Sequence, residues 1–66
     1  ETPLLDLVME TLEGAELEVF LLHVIDELKH REIAKIMNKP LGTITWIYNN
    51  AVKKMKRKVG EGNEQL

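Results

Sequence analysis

Residues 30–58 read HREIAKIMNKPLGTITWIYNNAVKKMKRK, and the reading of this stretch decides the fold. It divides at Asn38-Lys39-Pro40. Before that point Ile33, Ala34 and Met37 recur at three- and four-residue spacing, which predicts a short helix over 30–37 with one apolar face. Asn38 suits the left-handed residue that closes a helix. Pro40 lacks an N–H and restricts Lys39 before it, so no helix crosses the junction. Gly42-Thr43 opens a second helix, predicted over 42–58. At about 100° per residue, Ile44, Tyr48, Ala51 and Met55 fall on one side of it, with Ile47 flanking. Trp46, Asn49, Lys53 and Arg57 fall on the other, flanked by Thr45, Asn50 and Lys56. Two helices joined by a tight turn, the second ending in cations, form a helix-turn-helix pattern, which predicts a steep crossing. The small Ala34 and Ala51 are expected to let the two helices approach closely.

Upstream, Thr2-Pro3 has the form of a helix start, Thr2 capping and Pro3 in the first position. Leu4, Leu5, Leu7, Val8 and Leu12 follow at helical spacing, predicting a helix over 3–12 that Gly14 interrupts. Leu17, Phe20, Leu21, Val24, Ile25 and Leu28 predict another over 15–27, with acids in its first turn. Downstream, Gly60 and Gly62 mark a stop, and residues 59–66 read as a flexible tail. The expected architecture is all-α: a small four-helix domain over residues 1–58, with the helix-turn-helix at 30–58.

Composition narrows the function classes. A chain of 66 residues holds one domain and buries only about 60% of its unfolded surface, leaving no room for a deep substrate cavity. It has no cysteine, so disulfides and thiolate metal sites are excluded and helix packing alone must hold it; a reducing cytoplasm is the compartment this suits. There is no signal-peptide pattern and no apolar run near the roughly 20 residues that span a membrane. A start at Glu1 rather than Met is expected of a piece of a longer chain. The net charge of −2 hides an asymmetry. Glu1 to Leu28 carry eight carboxylates and no Lys or Arg, whereas Lys29 to Gly60 carry all nine Lys and Arg against Glu32 alone. A basic half beside an acidic half predicts one face for a polyanion and another for a different partner.

The outer face of the 42–58 helix fits double-stranded DNA. Asparagine pairs bidentately with adenine and threonine touches a thymine methyl, so Thr45, Asn49 and Asn50 are candidate base readers, with Thr43 a further DNA-binding candidate at the helix start. Trp46, a lone large aromatic on a polar face, either marks a contact surface, facing DNA or a protein, or folds down onto a neighbouring helix. Lys39 in the turn and Lys53, Lys54, Lys56 and Arg57 near the C-terminal end suit phosphates. No cofactor, metal or catalytic site is expected. His23 and His30 lie seven apart on different predicted helices with no other ligand at metal spacing, and read as structural or solvent-facing. Asp26-Glu27 are adjacent and point apart, unlike a catalytic pair. No Gly-rich phosphate loop or nucleophile–base pair is present, and Met9, Met37 and Met55 fit as core fillers.

Glu32-Ile33-Ala34, then Pro40-Leu41-Gly42-Thr43-Ile44, then Ala51, with the apolar Phe20-Leu21-Leu22 before them, resemble region four of bacterial sigma factors, nearest to the extracytoplasmic-function type. The resemblance covers residues 12–58. It implies recognition of the minus-35 promoter element by the second helix, docking on the RNA polymerase beta-subunit flap, and capture by an anti-sigma protein. The chain departs from the family pattern at Thr45, Ile47 and Asn50, where Lys or Arg is usual, at Trp46, where a small residue is usual, and at Lys29, where Ser or Thr is usual. Two other readings stay open: a protein-interaction module that binds polymerase or a regulator, and a separate helix-turn-helix transcription regulator.

Overall fold

The computed structural model describes the backbone of residues 4–64 and the side chains of residues 4–60. These form four helices with no strand among the described residues: α1 Leu4–Thr11, α2 Gly14–Val24, α3 His30–Met37 and α4 Leu41–Glu64. The capping roles expected of Thr2 and Pro3 lie outside the described residues. α1 closes as Thr11 turns its hydroxyl back onto the Leu7 carbonyl, 2.7 Å away. Gly14 then takes φ +61°, a left-handed conformation costing an L side chain roughly 1–2 kcal/mol.

α2 ends at Val24, three residues before the expected Glu27. The apolar stripe had placed Ile25 and Leu28 on one helical face, but Ile25 is exposed and Leu28 reaches the core from a loop. The chain unwinds through Asp26 N–H on the Leu21 carbonyl (3.2 Å) and Leu28 N–H on the Leu22 carbonyl (3.0 Å), with Glu27 at φ 59°. Burial of Leu28 opposes the strain of a left-handed Glu27.

α3 keeps its predicted bounds. At its start the Glu32 carboxylate accepts the Lys29 backbone N–H at 2.7 Å. A lysine ammonium has no lone pair to accept a helix N–H, so only this half of a capping box forms. At its end Asn38 is left-handed (φ 55°), and Lys39 N–H bonds the Ala34 carbonyl at 2.9 Å. The Pro40 carbonyl accepts Thr43 and Ile44 N–H groups at 3.1 and 3.2 Å, so the proline that stops α3 also starts α4. α4 does not stop at Lys58 but continues through Gly60 and Gly62 to Glu64. Glycine costs about 1 kcal/mol against alanine inside a helix, which weakens the helix there without forbidding it.

The core forms two clusters strung along α4. Val19, Ile33, Ala34, Ile44 and Ile47 join α2 and α3 to the first half of α4, with Leu22, Leu28, Met37 and Tyr48 around them. Val8, Leu12, Ala51 and Met55 join α1 to the second half, with Leu17, Phe20 and Leu21 of α2 alongside. The expected pairing of the two alanines is therefore corrected. Ala34 sits at the α3–α4 contact, whereas Ala51 faces α1, because a residue seven beyond Ile44 is about 10 Å further along the axis. Both alanines are buried, Ala51 completely. Ala51→Leu is expected to lower stability by about 1–3 kcal/mol through overpacking. Urea unfolding measures it, and an unchanged midpoint would contradict the close approach of α1 to α4.

Candidate nucleic-acid interface

α4 turns one face inward and leaves the other free. Ile44, Ile47, Ala51 and Met55 are buried. These four anchors fix the helix's rotation, since turning it to expose a single buried isoleucine costs about 1.5–3 kcal/mol. The opposite face follows from helical geometry. Trp46 is 67% exposed, with no core cluster folding over it. Asn49, Lys53, Lys56 and Arg57 are exposed, and Asn50 is half-buried beside them. From Trp46 to Arg57 the stripe runs about 16 Å. It begins with indole and amide groups and ends with cations, the order that the sequence predicts. Lys39 stands exposed in the turn and Thr43 half-buried in the first turn of α4.

Two of the predicted contact residues are already engaged. Lys54 Nζ lies 2.7 Å from Glu16 Oε1 of α2, on the flank of α4 rather than in the exposed stripe. Both partners meet solvent, and such pairs contribute about 0–1 kcal/mol, so a phosphate competes readily for this ammonium. Thr45 is half-buried, and its Oγ1 lies 3.2 Å from His30 Nδ1 of α3.

His30 belongs to a cluster that the sequence does not reveal. Its ring centroid lies 4.6 Å from that of His23 (α2) and 5.1 Å from that of Tyr48 (α4), and His23 and Tyr48 are 4.7 Å apart. Phe20 stacks on Tyr48 with ring centroids 6.0 Å apart. His23 Nδ1 lies 2.8 Å from the Leu28 carbonyl. A carbonyl only accepts, so this nitrogen carries the hydrogen and ties the α2–α3 loop to the cluster. His30 Nε2 is buried with no hydrogen-bond partner. Desolvation, and then the neighbouring charge of His23, hold the His30 imidazole below its usual pKa of 6.5. The only signal in the sequence was Tyr48 on the apolar side of α4. The spacing of His23 and His30 gave none, because the α2–α3 loop sets their meeting. Among the described residues no three potential ligands gather to hold a metal ion.

An open apolar groove lies on another flank, between the start of α1, the end of α2 and α4. Leu4, Phe20, Val24, Tyr48, Val52 and Val59 are among its lining residues. No described helix is long and apolar enough to cross a membrane.

A sequence model of the family described as Sigma-70, region 4 matches residues 3–55. No curated protein and no solved structure matches the chain.

The depressed His30 pKa makes stability depend on pH. Unfolded His30 takes up a proton below about pH 6.5, whereas the folded form resists it until lower pH. Stability is therefore complete above pH 6.5 and falls as pH drops toward the folded pKa. Urea midpoints at pH 7.5 and 5.5 are expected to differ more for the natural chain than for His30→Gln. Equal differences would contradict the assignment.

Proposed function

The chain belongs to the family of sigma-70 region 4 domains, the helix-turn-helix domains that recognise the minus-35 promoter element and bind RNA polymerase, and on that premise we propose which of its residues do each task. The carrying observation is the exposed stripe of α4, led by Trp46, opposite four buried anchors. Trp46, Asn49 and Asn50, with Thr43 and Thr45 nearer the helix start, occupy the N-terminal part of α4, the part of such a helix that enters the major groove. They read base edges. Lys39, Lys53, Lys56 and Arg57 meet phosphates from the turn and from the C-terminal half, and Lys54 joins them by exchanging Glu16 for a phosphate. Where an extracytoplasmic-function sequence usually offers Lys or Arg, Asn50 and Thr45 offer amide and methyl groups. Readout here therefore relies less on charge and more on hydrogen bonds and shape.

The polymerase side falls to α1 and α2. They carry Asp6, Glu10, Glu16 and Glu18 of the early carboxylates, and with α4 they line the apolar groove. A helix of the beta-subunit flap fits this surface in the manner of an amphipathic helix in a groove, leaving Trp46, Asn49, Lys53 and Arg57 free for DNA, with Lys56 on the rim between the two surfaces. An anti-sigma protein covering the same groove excludes polymerase. The setting is the bacterial cytoplasm, and the domain works as one part of a larger initiation factor of the extracytoplasmic-function type.

Binding titrations on a preferred duplex and on random duplex, at several salt concentrations, test the division of labour. Asn49→Ala is expected to cost about 1–3 kcal/mol on the preferred duplex and little on random DNA. Lys53→Ala is expected to weaken both alike and to reduce the salt slope by about one. An Asn49→Ala variant with an unchanged ratio of specific to random binding would remove the stripe from base reading and favour a protein-interaction module.

A further inference from the structure

The contact between His30 and Thr45 bears on what Thr45 offers to DNA. A threonine Cβ carries one hydroxyl and one methyl, fixed about a stiff χ1. Here the hydroxyl oxygen lies 3.2 Å from His30 Nδ1, turned toward α3. His30 is held on its other sides by His23 and Tyr48, with ring centroids 4.6 and 5.1 Å away, so the imidazole is a fixed partner rather than a mobile one. Whichever of the two side chains donates, the hydroxyl is turned toward α3 rather than outward toward a base. Thr45 is half-buried, and its methyl is the other group that the side chain can present. It stands one residue before the 67% exposed Trp46, close to the start of α4.

We propose that His30 is a positioning residue that turns the Thr45 hydroxyl inward, so that Thr45 selects a thymine by methyl-to-methyl contact rather than by a hydrogen bond. The inference rests on the reading of α4 as the base-reading helix. Apolar contact with the 5-methyl group distinguishes thymine from the other bases in the major groove. Deoxyuridine has the same pairing edge without that methyl, so replacing dT by dU isolates the contact.

The test begins with a duplex selected by the 66-residue chain from a randomised pool. That duplex is then resynthesised with dU for dT at one position at a time. One substitution is expected to weaken the natural chain about fourfold, the value of one buried methyl-sized group. Thr45→Ser keeps the hydroxyl and loses the methyl. It is expected to bind the dT duplex about fourfold more weakly and to treat dT and dU alike. Thr45→Val keeps a methyl in place and is expected to retain the discrimination. His30→Leu releases the hydroxyl and is expected to lose discrimination with helicity intact by circular dichroism, whereas His30→Gln, which restores a polar partner, recovers it. A Thr45→Ser variant that still separates dT from dU would overturn the proposal. So would a selected duplex indifferent to dU throughout, with α4 still the reader. Failure to select any preferred sequence would overturn the reading of α4 itself and this inference with it.

Discussion

The burial of one face of α4 is the constraint on which the rest of the structure depends. Ile44, Ile47, Ala51 and Met55 enter two separate clusters, one shared with α2 and α3 and the other with α1 and α2. A helix held at one point along its length rotates and pivots; a helix held at two does neither. The same four residues that provide the core therefore determine that Trp46, Asn49, Lys53 and Arg57 face outward as a set. The small size of the domain makes this economical. A chain of 66 residues cannot build a core independent of its longest helix, so stability and presentation of the outward face of α4 arise from one set of contacts.

The polar part of the interior serves the same end by a different means. His23, His30 and Tyr48 bring α2, α3 and α4 together where aliphatic packing gives way to rings. An imidazole with a buried, unpartnered Nε2 is expensive, since an unsatisfied buried polar atom costs about 1–3 kcal/mol. In return, His23 secures the α2–α3 loop through the Leu28 carbonyl and His30 meets Thr45 on the functional helix. Directional bonds of this kind specify orientation in a way that a leucine in the same place does not.

Much of this was legible in the sequence, for reasons that can be traced to particular residues. The Asn38-Lys39-Pro40 junction carried its own backbone chemistry, and α3 and the start of α4 fell within one residue of expectation. The two sides of α4 followed from its period, because buried and exposed positions on a helix repeat every 3.6 residues. The ends of α2 and α4 were not legible. Leu28 fits a helical stripe and a loop contact equally well, and only packing decides between them. Gly60 and Gly62 raise the energy of a helix by amounts that neighbouring residues can absorb. The His23–His30 contact depends on the loop that brings two helices together, and the engagement of Lys54 by Glu16 joins residues 38 apart. Sequence periodicity describes one helix at a time and is silent on both.

Trp46 offers the most direct test of the central claim that the outward stripe of α4 is the DNA-contacting surface. It is the chain's only tryptophan and stands in the middle of the proposed base-reading residues. Its fluorescence, and its accessibility to acrylamide, therefore report on that face alone. On titration with a duplex carrying the preferred minus-35 sequence, acrylamide quenching is expected to fall in proportion to the bound fraction. Saturated binding that leaves Trp46 as accessible as in the free domain would contradict the account.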